Sequence, residues 1–170
     1  MKYLRYLIVA LCCCPMAVFA QDITGLWKGT MYNDSTKQSY EYEIVISKEK
    51  GKYSGFSHTW FIIDEKKYYG VKKVKVSIAK NGKVIIVDDQ LIDNNYPVTP
   101  NKYVRQLNIL DLAAKGADVV LNGLFLTNAT KDFREFTGQV NMKRESQYSQ
   151  SDLMQYLQKN TKEYGFTVAR

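Results

Sequence analysis

Arg105 is the residue of this sequence whose position most strongly indicates binding chemistry. Along its predicted strand Arg105 alternates with Leu107 and Ile109, so the three side chains fall on one face. Because apolar faces are usually buried, we expect Arg105 to point inward, where a guanidinium needs a partner. That partner is either a ligand carboxylate, which the planar fork binds with two hydrogen bonds, or an internal carboxylate from Asp88 or Asp89.

Residue types that support catalysis or metal binding are sparse. His58 is the only histidine of the chain, and we interpret it as an ordinary strand residue. Asp88 and Asp89 are adjacent, so on a strand their carboxylates face opposite sides and cannot act on one substrate atom. The sequence has neither a glycine-rich phosphate loop before a helix nor a cluster of cysteines and histidines. We therefore predict no enzyme activity, no metal site and no cofactor.

The first 20 residues have the organisation of a secretory signal peptide. Lys2 and Arg5 give a basic start, residues 7–15 are mostly apolar, and Val18 and Ala20 occupy the positions that a signal peptidase inspects. We expect cleavage after Ala20. The mature product would then be exported to the periplasm or the extracellular space.

Composition limits the class of the exported product. All three cysteines lie at positions 12–14, inside the leader, so the mature chain would depend on packing and not on disulfides. The formal net charge is +7 with both signs spread along the chain, and no basic stripe carries interleaved aromatic residues. We therefore predict no nucleic-acid partner. No later apolar run approaches the ~20 residues of a membrane-spanning helix, which predicts no membrane span.

Alternating apolar and polar residues, interrupted by turn residues at short intervals, predict an all-β domain. One of the turns, Asn81-Gly82, is typical of a type I′ hairpin. The short connections favour a single eight-stranded antiparallel up-and-down β-barrel, because closure leaves no exposed edge. The predicted strands are 23–32, 38–48, 52–62, 68–79, 82–92, 103–112, 117–127 and 136–144.

A C-terminal α-helix should follow the barrel and pack outside it. Ser149 and Ser151 can cap this helix, which is expected to run to about Tyr164 before Gly165 ends it. No linker divides the mature chain, so we predict one domain. The organisation is a signal peptide over 1–20, a barrel over 21–148, and a helix with a tail over 149–170.

Two motifs on the predicted strands resemble the calycin group of barrels. Gly25 and Trp27 lie on the first strand, and Arg144 ends the last strand. The pattern is similar to that of lipocalins and of small exported lipocalin-like proteins of Bacteroidetes-type bacteria. The resemblance implies that Arg144 packs across Trp27 in a cation–π contact and that these three residues form the structural floor of the barrel.

The resemblance also implies a ligand site at the opposite end of the barrel, which we call the mouth. Aromatic residues with hydroxyl groups suit a small hydrophobic or aromatic molecule, with or without a carboxylate. The connection 94–101 is the longest and is expected to lie over the mouth as a lid. The predicted ligand-binding residues are Met31, Tyr40, Tyr42, Tyr69, Tyr103, Arg105 and Phe125.

Two alternatives to a binding barrel stay open. A barrel filled by its own side chains would be a structural or interaction protein with another protein of the cell envelope as its partner. An eight-stranded outer-membrane barrel would share the leader and the strand lengths. The membrane alternative requires the lysines at 72, 73 and 75 to avoid every lipid-facing position. We therefore favour an exported, non-enzymatic binding barrel.

Overall fold

The described residues, 22–160 of a computed structural model, form a closed β-barrel. Each strand pairs antiparallel with the next one along the chain, and β8 pairs with β1. The predicted single eight-stranded antiparallel up-and-down barrel with an external C-terminal α-helix is confirmed. The elements are β1 (Gly25–Asn33), β2 (Gln38–Glu49), β3 (Lys52–Ile63), β4 (Lys66–Ile78), β5 (Val84–Asn94), β6 (Gln106–Lys115), β7 (Asp118–Thr127), β8 (Thr137–Glu145) and α1 (Asp152–Lys159).

Helix α1 begins where the sequence places a capping serine. The Ser151 side chain accepts a hydrogen bond from the backbone N–H of Met154, which satisfies one free donor of the first turn. A short 3₁₀ turn over Tyr148–Gln150 precedes this cap. The predicted signal peptide with its cleavage site, and the part of the predicted helix beyond residue 160, lie outside the described residues.

Two-residue hairpins join β2 to β3 and β3 to β4. Both residues of the connection 50–51 have positive φ, as do both residues of the connection 64–65, which is the signature of type I′ turns. The prediction of a type I′ turn at Asn81-Gly82 is wrong. Only Gly82 has a positive φ there, and its N–H donates to the carbonyl oxygen of Ala79 within a longer loop. This geometry corresponds to a type I turn followed by a left-handed glycine.

Large apolar side chains fill the floor and the middle of the barrel. Trp27, Ile44 and Leu121 are 0% exposed, and Tyr42 is 1% exposed. Side chains as buried as these contact protein on all sides, so the protein itself occupies the floor and the middle of the barrel. The same inward cluster contains Met31, Val74, Val76, Val84, Ile86, Leu110, Phe125, Val140 and Met142.

Helix α1 covers part of the outer wall of the barrel. Its buried residues Leu153, Met154 and Leu157 pack on a second apolar cluster from β1 to β4. A helix of this length is not stable alone in water, so its stability comes from this contact. Among residues 22–160, no helix is long and apolar enough to cross a membrane. The wall residues under the helix are Leu26, Val45, Phe56 and Val71.

A buried carboxylate fastens the helix to the wall. Glu43 is 0% exposed, and its Oε2 accepts hydrogen bonds from Ser151 Oγ at 2.7 Å and from the backbone N–H of Leu153 at 3.0 Å. Its Oε1 lies 3.0 Å from Lys28 Nζ, and this contact with Glu43 raises the pKa of Lys28. A carboxylate at a helix N-terminus is favoured by the helix dipole and by charge-assisted hydrogen bonds.

Candidate functional site

Trp27 and Arg144 close one end of the barrel. The guanidinium carbon of Arg144 lies 4.8 Å from the centroid of the Trp27 ring, and the two residues pair across β1 and β8. The indole Nε1 donates to the carbonyl oxygen of Ile23 at 3.0 Å. Gly25 has a φ of +115°, a conformation that side chains rarely adopt, so the entry into β1 requires glycine. The structure therefore places the three residues predicted for the floor at the same end.

Four of the seven residues predicted for the ligand site lie together inside the barrel. Met31, Tyr42 and Phe125 are buried in the inward cluster, with exposures of 7%, 1% and 3%. Tyr40 is partly buried, packs against the same cluster and pairs with Met31 across β1 and β2. These four side chains line the half of the interior that faces the mouth.

The remaining three predicted residues do not face the interior, and the orientation that we expected for them is wrong. Tyr69 packs on the outer wall in the cluster that α1 covers. Tyr103 is 67% exposed in the connection before β6. Arg105 is also exposed, and its guanidinium donates to the backbone carbonyl oxygen of Asp89, not to a carboxylate.

The inversion at Arg105 arises because β6 turns its polar residues inward. Gln106 and Asn108 are 7% and 0% exposed and share the inner face with Leu110. Leu107 and Ile109 take the opposite face and stay only half-buried. The outer wall of β6 and β7 is itself apolar, so the rule that the apolar face points inward fails on this strand.

An ion pair lies inside the barrel, between the packed middle layer and the mouth. Lys72 Nζ is 2.5 Å from Asp88 Oδ2, and the side chains are 26% and 5% exposed. Lys72 alternates with the inward Val74, and Asp88 alternates with the inward Ile86, which fixes both charged groups on the inner face. Asp88 is one of the two carboxylates considered for Arg105, but its cationic partner is Lys72.

A chain of hydrogen bonds extends from Asp88 across the interior. The carboxylate accepts from the backbone N–H of Gln106 at 3.2 Å, and Gln106 Nε2 donates to Asn108 Oδ1 at 2.9 Å. Asn108 Nδ2 then donates to the Tyr42 hydroxyl at 3.4 Å. Burial and, secondarily, the charge of Asp88 raise the pKa of Tyr42, so this hydroxyl stays protonated.

Aromatic side chains surround the mouth above this network. The Phe61 ring lies 6.3 Å from the Tyr40 ring, 5.7 Å from the Tyr68 ring and 5.4 Å from the Tyr96 ring, between centroids. Tyr96 comes from the connection between β5 and β6 and lies over Gly70, where a Cβ atom would be 1.9 Å from the Tyr96 oxygen. Burial raises the pKa of Tyr96 to about 12. This connection therefore covers part of the mouth with Tyr96.

Sequence reasoning missed several residues of this arrangement, namely Lys72, Gln106, Asn108, Phe61 and Tyr96 as members of one site. A signal for Lys72 was present, because it falls in phase with the apolar residues of its own strand. A charged residue in the apolar phase of a strand indicates an inward charge that needs a partner. The sequence gives no comparable indication that Gln106 and Asn108 face the interior. They alternate with Leu107 and Ile109, so the usual pattern predicts that the two amides face solvent.

Among residues 22–160, no group of three or more His, Cys, Asp or Glu side chains is arranged to hold a metal ion. Comparison with protein-family models, with curated proteins and with solved structures gives no significant match.

Proposed function

We propose that this protein is a lipocalin-like binding protein that holds one small amphipathic molecule at the mouth of its barrel. The observation that carries the proposal is the Lys72–Asp88 pair, which lies inside the barrel beneath aromatic side chains. A buried ion pair costs several kcal/mol of desolvation, and apolar residues in its place are often as stable. A charge pair in a position that apolar residues could fill therefore marks this end of the barrel as the candidate binding site.

The proposed ligand class follows from the hydrogen-bond donors of Lys72 that are not used by its ion pair with Asp88. A lysine ammonium has three donors, and only the one on Asp88 is engaged by a side-chain hydrogen bond among the described residues. Lys72 pairs with Leu91, which is nearer the mouth end of β5 than Asp88, and its side chain is 26% exposed, so we expect an acceptor on a guest to reach the ammonium. The guest would carry a carboxylate or another acceptor on an apolar or aromatic body, which would lie against Tyr40 and Phe61.

The lipocalin-like assignment and the export are parts of the same proposal. The contact of Arg144 with Trp27 and the strand order support the assignment. Export is supported by the leader-like sequence of residues 1–20. We also propose that the barrel is not an enzyme, because the polar groups described at its mouth form no pairing of a nucleophile with a base.

A second candidate function is an interaction protein of the cell envelope. It is favoured by an apolar area on the outer wall, where Leu124 is 59% exposed and Leu126 is 38% exposed. These residues pair with Ile109 and Leu107 of β6, whose side chains share the outer face. An exposed apolar sheet face of this kind suits a protein partner. The packed floor and middle of the barrel are compatible with both candidate functions.

An outer-membrane barrel receives less support. Gln139, Asn141 and Lys143 are exposed on the outer face of β8, and Lys73 and Lys75 are exposed on β4. A barrel in a lipid bilayer needs an apolar belt on all its strands. These polar positions interrupt such a belt on two separate sides.

Native mass spectrometry on the mature protein, produced with its leader and recovered from a bacterial periplasm, tests the first candidate. We expect a co-purifying small molecule in the wild type and its loss in Lys72→Gln. Lys73→Gln is the matched control, because Lys73 is the next residue and points to solvent. Lys72→Arg keeps the charge and should retain the molecule. All variants are compared after circular dichroism has established that they are folded.

The outcomes separate the two candidates. A ligand that is retained in folded Lys72→Gln would overturn the mouth site. Protein that is reproducibly empty, but recovers a protein partner that Leu124→Asn releases, would replace the binding proposal with the interaction candidate.

A further inference from the structure

A cleft lies outside the barrel, between α1 and the outer wall. Its volume is about 270 Å³, close to the lower end of the roughly 300–1,000 Å³ that is typical of small-molecule sites. The wall contributes His58, Trp60 and Tyr69, and the helix contributes Asp152, Tyr156 and Lys159. None of these residues is among those described at the mouth, such as Lys72, Asp88 and Phe61. The cleft lies on the outside of the barrel wall, whereas those residues lie inside it.

The wall of the cleft is built from aromatic rings in tilted and edge-on contacts. The His58 ring centroid is 3.8 Å from that of Trp60, and it is 5.6 Å from that of Tyr69 with the planes perpendicular. Lys67 Nζ lies over the Trp60 ring, 5.2 Å from its centroid. The Trp60 ring, which lines the cleft, therefore already attracts an ammonium group, which is supplied by the protein itself.

His58 is a second indication that the cleft is built to hold something. It is 5% exposed, and neither ring nitrogen has a hydrogen-bond partner among the described residues. Unpartnered buried polar groups are rare in proteins and call for an explanation. Burial lowers the pKa of His58 to about 4, so at neutral pH the ring is an uncharged aromatic surface that does not repel a cation.

The helix places opposite charges at the two ends of the cleft. Asp152 lies in the first turn of α1 and Lys159 in the last, seven residues apart, which corresponds to roughly 10 Å along the axis. An ammonium group would be favoured at the Asp152 end, and a hydrogen-bond acceptor at the Lys159 end. Tyr156 lies between them on the same side of the helix.

We propose that this cleft binds a small organic ammonium compound that carries a hydrogen-bond acceptor, with its cationic group over Trp60 in place of Lys67 and Asp152 as its counter-charge. The compound replaces the internal ammonium on the aromatic face and gains the carboxylate as a second partner. This site is independent of the mouth, and its ligand has the opposite charge to the acceptor group proposed there.

Titration of the full mature protein with choline, followed by NMR of the Trp60 indole and the His58 ring, tests the proposal. Dimethylbutanol, in which a carbon atom replaces the charged nitrogen, is the neutral probe of the same shape. We expect choline to shift both signals with saturation and dimethylbutanol to leave them unchanged. The Trp27 indole, which lies inside the barrel, should not respond to either compound.

Substitutions in and beside the cleft should change the affinity for choline in opposite directions. Asp152→Asn should weaken choline binding by about tenfold and Trp60→Phe by about threefold, since desolvated cation–π contacts and ion pairs are of that size. Lys67→Gln should tighten binding by about threefold, because it removes the internal competitor. Lys66→Gln, at the exposed neighbouring position, is the matched control and should have no effect.

Three outcomes would overturn the proposal. They are equal response to choline and dimethylbutanol, no response to choline in the folded wild type, and weaker binding after Lys67→Gln. The Asp152→Asn and Lys67→Gln changes are at surface positions, so a folded protein is expected for both, and Trp60→Phe keeps an aromatic ring in the wall.

Discussion

The guanidinium of Arg144 stacks over the indole of Trp27 across the seam where the last strand of the barrel meets the first. Truncation of the indole by Trp27→Ala should lower the free energy of unfolding by ~3–5 kcal/mol, because a large, fully buried ring is replaced by a cavity. Urea denaturation measures this loss. An unchanged midpoint would mean that Trp27 is not part of the barrel floor.

The cation of this pair can be tested separately. Arg144→Gln should cost about 1 kcal/mol, the size of a partly desolvated cation–π contact. Lys143→Gln is the matched control on the same strand, since Lys143 is exposed and forms an ion pair with the exposed Asp118. We expect the control to leave the urea midpoint unchanged. Equal effects of the two substitutions would contradict a specific contact with Trp27.

The internal ion pair gives a second prediction on stability. Lys72→Met should lower the free energy of unfolding by ~3 kcal/mol, because it leaves the charge of Asp88 buried without a counter-charge. The double variant Lys72→Met with Asp88→Leu should recover most of this loss, since no uncompensated charge remains. Lys75→Met breaks the exposed pair with Asp89 and should change stability by less than about 0.5 kcal/mol. Strict additivity of the two interior substitutions would show that the charges are not coupled.

His58 should make the protein sensitive to acid. Its pKa is 6.5 in an unfolded chain and about 4 in the folded protein, where desolvation disfavours the charged ring. The unfolded state therefore takes up the proton first, so the contribution of His58 to stability is complete above pH 6.5 and is lost as the pH falls toward 4. We expect a loss of ~2–3 kcal/mol at about pH 4.5.

Comparison with His58→Phe isolates this effect from the carboxylates, which titrate in both proteins. Urea denaturation is measured for both proteins at neutral pH and at about pH 4.5. The decrease in the free energy of unfolding between the two pH values should be smaller in the variant by ~2–3 kcal/mol. The groups that act on the charge of His58 are Glu43, Asp152, Lys67 and Asp93, and all of them are retained. Parallel pH profiles of the two proteins would exclude His58 as the source.

Glu43 should control whether α1 stays on the barrel. Glu43→Ala removes the acceptor for the Ser151 hydroxyl and the Leu153 N–H, and it leaves Lys28 without its partner. We expect a loss of ~2–4 kcal/mol, in the range of buried charge-assisted hydrogen bonds. Limited proteolysis should then cut near α1 before it cuts the strands. Glu41→Ala, at the exposed position two residues earlier on the same face, is the control.

Much of the barrel could be predicted from sequence because its signals are local. The strand count follows from period two and from turn residues, and the floor follows from two short motifs on the first and last strands. Met31, Tyr40, Tyr42 and Phe125 could be predicted because each lies near the mouth end of its strand once Trp27 is taken as the floor. Tyr40 and Tyr42 also have polar neighbours on both sides, which indicates that they face the interior.

The rest depended on which face of a strand the protein buries, and two of the strands break the usual rule. On β6 the amides of Gln106 and Asn108 are satisfied by the network around Asp88, so they can be buried while Leu107 and Ile109 face out. Tyr69 has an apolar environment outside the barrel because α1 covers it there. Neither condition is visible along one strand, since both are set by distant partners.

Glu43 and its donors on the C-terminal helix are separated by more than 100 residues of chain. When the polypeptide is synthesised or threaded across a membrane from its N-terminus, the carboxylate emerges long before the groups that will receive it. Until Ser151 and Leu153 arrive, Glu43 stays hydrated and the apolar wall beside it stays uncovered. Helix α1, which is made after all eight strands, thus completes the burial of an early strand, and a chain terminated before it would expose that wall to proteases.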